Sequence, residues 1–103
     1  MQIMLKWRCG GQNKVIGIPT KAYETDTPGL VVCRVPDALR YWQVVHESSG
    51  YALSSIRNSK TRKVAKEAAR ELGPLTDWTQ GEGAIKNDHR LYIAVIETLE
   101  RYQ

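Results

Sequence analysis

The run NSKTRKVAKEAARELGP, residues 58–74, constrains the fold most, because it spells a helix with both ends marked and an inner face that needs a close neighbour. Asn58 or Ser59 is suited to cap the start, since either side chain can accept a hydrogen bond from an amide that the first turn leaves unpaired. Gly73 followed by Pro74 marks the end: glycine readily takes the left-handed cap conformation, and proline cannot continue a helix. Between them Val64, Ala65, Ala68, Ala69 and Leu72 recur at spacings of three and four. At roughly 100° per residue they fill one arc. The small alanines on that arc predict a helix seated tightly on its support, and the face of a sheet is the expected support.

Positive charge follows the same helix. Arg62, Lys66 and Arg70 repeat every four residues along the edge of the apolar arc, with Lys63 beside them and Glu67 and Glu71 further round. Arg57 and Lys60 extend the charge to the helix start. The formal net charge is +4, yet from residue 81 onward Lys86, Arg90 and Arg101 are outnumbered by Glu82, Asp88, Glu97 and Glu100, so the excess belongs to the strands and this helix. Cations at a helix N-terminus oppose the macrodipole at about 0.3–1 kcal/mol each, a cost that a bound anion relieves. The competing reading is a solvated face, neutralised by Lys63 with Glu67 and Arg70 with Glu67 at about 0.2–0.5 kcal/mol per pair.

Upstream, residues 2–8 (QIMLKWR) and 14–19 read as strands around a Gly-rich turn at 9–13, and residues 24–29 read as a loop. Residues 30–35 form a third strand rich in valine, interrupted by Pro36-Asp37. Residues 40–46 and 51–56 are expected to pair as a hairpin across 47–50. On the first of these, Trp42, Val44 and His46 share one face, while Tyr41, Gln43 and Val45 share the other. After the basic helix, the loop 75–87 carries Trp78, which is expected to fold back over the core. Asp88 caps a second helix over 90–102, in which Leu91, Tyr92, Val95, Ile96, Leu99 and Tyr102 form the buried stripe and Ile93 falls off it. The fold class implied is α+β: a single domain over 1–103, with an antiparallel sheet of about four to five strands followed by two C-terminal helices packed on one face.

Composition and motif spacing bound the chemistry. The longest apolar runs, such as residues 30–33, are too short to span a bilayer, and the N-terminus lacks the pattern of a signal peptide, so a cytoplasmic protein without a membrane partner is expected. In that compartment Cys9 and Cys33, which have no CxxC spacing, are expected as free thiols. Cys9, Cys33, His46 and His89 lack the short paired spacing of a zinc site, and neither a metal nor another cofactor is expected. His46 at a strand end and His89 at a helix start read as surface or capping positions. Ser48 and Ser49 beside His46 read as turn residues, with no nucleophile elbow around them. Gly10-Gly11 before Lys14 lacks phosphate-loop spacing, and Asp77, Glu82 and Asp88 are scattered, so no enzyme is expected.

Aromatic residues interleave with basic ones at Lys6-Trp7-Arg8 and Arg40-Tyr41-Trp42. Such sheets can stack unpaired bases while neighbouring cations hold phosphates. Trp7 and Trp42 read as core residues, leaving Tyr41 as the exposed aromatic. The run from Ser59 to Ala69, SKTRKVAKEAA, resembles the last helix of double-stranded-RNA-binding domains, in which a basic cluster before an Ala-rich helix meets phosphates across a groove. The preceding strands fit that family's order, while its opening helix and Gly-rich approach are absent and a further C-terminal helix is added. The expected function is a small non-enzymatic nucleic-acid-binding domain, with Arg57, Lys60, Arg62, Lys63, Lys66 and Arg70 on phosphates and Tyr41 as a stacking residue. The alternative is a protein-binding adaptor or inhibitor, whose basic edge meets an acidic protein surface and whose Ile93 or Tyr41 supplies apolar anchorage.

Overall fold

The computed structural model describes residues 1–8, 14–54 and 57–103, apart from the side chains of Ala84 and Lys86. Strands β1 (Gln2–Arg8), β2 (Val15–Glu24), β3 (Leu30–Val35) and β4 (Ala38–His46) form one antiparallel sheet in chain order. Helix α1 (Arg62–Leu72), a 3₁₀ turn (Gly73–Leu75), the short α2 (Glu82–Lys86) and α3 (His89–Glu100) follow. This is an α+β fold with four strands and two principal C-terminal helices. The expected turn at 9–13, with Cys9, lies outside the described residues.

β4 finds its ladder partner on the other side from the one expected. It pairs with β3 from His46 opposite Leu30 to Ala38 opposite Val35, around the tight turn at Pro36-Asp37. Among the described residues the chain returning along its far edge makes two isolated bridges, Val45 with Ala52 and Trp42 with Ser59, with His46 N–H donating to Tyr51 O and Leu53 N–H to Val44 O. Between those bridges the returning chain advances seven residues while β4 advances three, so the two bridges do not belong to one regular ladder. Residues 55 and 56 of that expected strand lie outside the described residues.

β2 is longer than expected because it serves two partners in succession. Residues 15–21 pair with β1, whereas Ala22, Tyr23 and Glu24 pair with β3. The β1–β2 ribbon therefore folds over one face of the β3–β4 hairpin, and Lys6 N–H donates to Gly50 O (2.9 Å), joining β1 to the chain just beyond β4. Leu5, Ala22, Val31, Cys33 and Val45 are buried between these layers. The opposite face carries Leu30, Val32, Trp42 and Val44 against Ala65, Ala68, Ala69 and Leu72 of α1, together with Trp78 and Leu91, Val95 and Leu99 of α3. β3–β4 is thus covered on both sides, which is why β3 is nearly continuously buried instead of alternating.

α1 has the alanine seat expected, but both of its ends differ in detail. Thr61, rather than Asn58 or Ser59, is the N-cap, its hydroxyl accepting from Val64 N–H (3.1 Å). Ser59 is engaged elsewhere: its backbone bridges Trp42, and its hydroxyl donates to Tyr102 O (2.8 Å). Gly73 stays right-handed (φ −51°) and leads into the 3₁₀ turn. Its missing side chain matters for space, since a Cβ there would lie 2.8 Å from the Thr27 hydroxyl oxygen, which itself donates to Ala69 O. Trp78 does fold back into the core, its indole N–H donating to Leu72 O (2.8 Å). Its carbonyl faces Gly29, whose φ of +90° and lack of a Cβ permit the approach.

Asp88 caps α3 by accepting from Leu91 N–H (3.0 Å). Leu91, Val95 and Leu99 are buried as expected, but Tyr92 is 59% exposed beside Ile93 at 44%, because α3 meets the core along a narrower stripe. Among the described residues no helix is long and apolar enough to cross a membrane.

Candidate nucleic-acid interface

The alanine face of α1 turns its opposite edge to solvent, and the cations of that edge gather. Arg62, Lys63, Lys66 and Arg70, with Asp26 and Glu67, line a shallow concavity of about 440 Å³. Neither Lys63 nor Arg70 closes an ion pair with Glu67. The ion pairs among the described residues are Arg57 with Glu100 (2.8 Å) and Arg101 with Glu71 (4.0 Å). Lys60 is exposed just before the helix.

Two of the expected contacts stand apart from this edge. Arg57 points towards α3, where its Nε and Nη2 both donate to Glu100 Oε1 (3.2 and 2.8 Å). Tyr41 is half-buried on the face of β4 opposite Trp42, so the strand's period of two directs it away from α1. The Arg40 guanidinium lies 5.2 Å from its ring centroid.

Other residues, scattered in sequence, extend the cationic edge onto the sheet. The Arg62 guanidinium lies 4.4 Å from the Tyr23 ring centroid and 5.8 Å from that of Trp42. Lys21 Nζ lies 5.4 Å from the Tyr23 ring, and the Arg34 guanidinium 4.6 Å from the Trp42 ring. The two aromatic rings meet edge to face, 5.7 Å apart at 63°. The neighbouring Lys21 ammonium, joined by the charge of Arg62, holds the Tyr23 phenol below its ordinary pKa. A sequence signal for this corner did exist: Arg34 is the single charged residue in the apolar run LVVCRV, and it is the one exposed residue of β3. Lys21 and Tyr23 give none, because the strand expected from the sequence ends at residue 19.

Elsewhere, His46 is buried, contrary to its reading as a surface position. Its Nε2 faces the carbonyl oxygens of Trp78 (3.0 Å) and Gln80 (2.9 Å), so it carries the hydrogen, and Nδ1 accepts from the Ser49 hydroxyl (2.8 Å). A serine beside an imidazole resembles a nucleophile and its base. Here the ring is oriented by two carbonyls, and the Ser49 oxygen also accepts from Tyr51 N–H (3.3 Å), so the pair fastens the end of β4 to the Trp78 segment. A cavity of about 330 Å³ adjoins it, with Leu53, Trp78, Ile85, Leu91 and Val95 in its wall.

Cys33 is a free buried thiol whose pKa is raised by burial. No group of three or more His, Cys, Asp or Glu side chains able to hold a metal occurs among the described residues. Comparison with protein-family models, with curated proteins and with solved structures finds no match.

Proposed function

We propose that this chain is a small, non-enzymatic nucleic-acid-binding domain that holds phosphates along the outer edge of α1. Arg62, Lys63, Lys66 and Arg70 make the contacts, and Lys60 adds charge at the helix start. The observation that carries this reading is that four cations share one concavity and none closes an ion pair, while Arg57 and Arg101 elsewhere do. Four residues of α-helix rise about 6 Å, so Arg62, Lys66 and Arg70 form a line of about 12 Å along which a phosphate backbone can run. The buried alanines seat that line against the sheet. Contacts of this kind fix a protein on nucleic acid without reading its sequence.

Fluorescence anisotropy with labelled duplex DNA, single-stranded DNA and duplex RNA, at two salt concentrations, tests the reading. Wild type should bind at low salt and weaken steeply as salt rises. The triple variant Arg62→Gln, Lys66→Gln and Arg70→Gln should stay helical by circular dichroism and bind poorly. No binding by wild type, or equal binding by the folded variant, would overturn it.

The protein-binding adaptor or inhibitor remains the second reading, favoured by the adjacent exposure of Tyr92 and Ile93 on α3. An acidic protein partner anchored by these side chains would show a shallower salt dependence than a phosphate backbone does.

A further inference from the structure

We propose that the Tyr23–Trp42 corner of the sheet is a further anion site, adjoining the α1 edge and sharing Arg62 with it, which binds a phosphate monoester or free phosphate through Lys21, Arg34 and Arg62. The choice of an oligonucleotide end as the monoester rests on the nucleic-acid reading above, whereas the anion site itself does not.

Strand register brings these residues together. Tyr23 pairs with Val32 and Arg34 with Trp42, so Tyr23, Arg34 and Trp42 share the face on which α1 packs. Lys21, two residues before Tyr23 on β2, points the same way and stands one step beyond the last β2–β3 pair, Ala22 with Cys33. Arg62, the first residue of α1, reaches over both rings from the helix. Three cations from two strands and a helix therefore surround one aromatic pair, and none of them closes an ion pair.

Geometry within the corner favours a compact, doubly charged ligand. Arg62 and Lys21 lie 4.4 and 5.4 Å from the Tyr23 ring centroid, so two cations attend one phenol. A contact with the Trp42 ring, 4.6 Å from its centroid, and a hydrogen bond from Arg34 Nη1 to Leu39 O (2.6 Å) hold the Arg34 guanidinium in place. A planar guanidinium already held by such contacts loses less freedom on meeting an oxyanion than a free side chain does. A backbone diester offers a single charge, whereas a monoester carries about −1.5 to −2 at neutral pH with three acceptor oxygens. Convergence of three cations thus matches a terminal phosphate better than an internal one.

The experiment compares oligonucleotides of one sequence, single-stranded and duplex, with a 5′-phosphate, a 3′-phosphate or hydroxyl ends, and adds inorganic phosphate at constant ionic strength. A terminal phosphate at one of the ends should tighten binding on the order of tenfold over the hydroxyl-ended form, as expected for added charge-assisted hydrogen bonds. The double variant Lys21→Gln and Arg34→Gln changes two exposed side chains, and in it the ratio should fall to about one. Inorganic phosphate should raise the thermal midpoint of wild type but not of that variant, which separates loss of the site from loss of fold. If hydroxyl-ended oligonucleotides bind but neither terminal nor inorganic phosphate has an effect, the corner is no anion site while the α1 interface stands. If no oligonucleotide binds yet inorganic phosphate stabilises wild type alone, the site stands with free phosphate as its ligand and the nucleic-acid reading fails. Absence of every response overturns both.

Discussion

The outer edge of α1 and the rim where α1 meets the end of α3 both carry mixed charge, yet they treat their cations differently. At the rim, Arg57 is bound by Glu100, Arg101 approaches Glu71, and Glu71 also accepts from the Tyr102 hydroxyl (3.2 Å). Along the outer edge, Arg62, Lys63, Lys66 and Arg70 share their concavity with Asp26 and Glu67 without closing an ion pair. Exposed pairs like those at the rim add about 0–1 kcal/mol to stability. Their larger consequence is to take cations away from any outside partner. A net charge of +4 says little about binding until it is known which charges the fold has already paired.

The strongest challenge to this contrast is the triple variant Arg62→Gln, Lys66→Gln and Arg70→Gln. Its affinity for nucleic acid at low salt should fall by at least on the order of a hundredfold, with the salt slope reduced by about one per charge removed. Titrating salt against anisotropy measures both quantities. A fall in affinity without a change in slope would mean that the three side chains act by some route other than phosphate contact.

Ala68→Leu asks whether the edge depends on its seat. Ala68 has no exposed surface, so the larger side chain should cost about 1–3 kcal/mol, read from the midpoint of denaturant unfolding. An unchanged midpoint would show that α1 has room to spare and that its cations are not rigidly held.

Removing acidic groups sharpens the comparison further. The double change Asp26→Asn and Glu67→Gln takes two negative charges out of the outer concavity and should strengthen binding by roughly threefold to tenfold at low salt. The smallest effect is expected at the rim, where Glu100→Gln frees Arg57, which stands apart from the outer concavity, and should lower stability by no more than about 1 kcal/mol and leave nucleic-acid affinity within about twofold. Equal responses at Glu67 and Glu100, in the same anisotropy titration, would erase the distinction between the two regions.

Much of the fold was legible because it is written at short range. The α1 stripe, the Asp88 cap, β3 and the two faces of β4 each follow from residues within a few positions of one another, where the helical or strand period decides what can face the core. The expected fifth strand over 51–56 rests on strand-like composition, whereas its described residues 51–54 contribute one isolated bridge, at Ala52. His46 was misread because its burial comes from Trp78 and Gln80, 32 and 34 residues away. At the candidate site, the line through Arg62, Lys66 and Arg70 was visible as a four-residue repeat. The diversion of Arg57 to Glu100 was not, since that contact spans 43 residues.

The sequence by itself determined where a basic, alanine-seated helix lies and which of its sides must be buried, because a helix converts spacing directly into direction. Only the tertiary structure decided which charges remain available and which residues outside the helix join them. Lys21, Arg34 and Arg62 come from two strands and a helix, and no local period relates them. Their convergence on Tyr23 and Trp42 follows from sheet register and from the packing of α1 across it, both of which depend on long-range contacts competing for the same edges and faces.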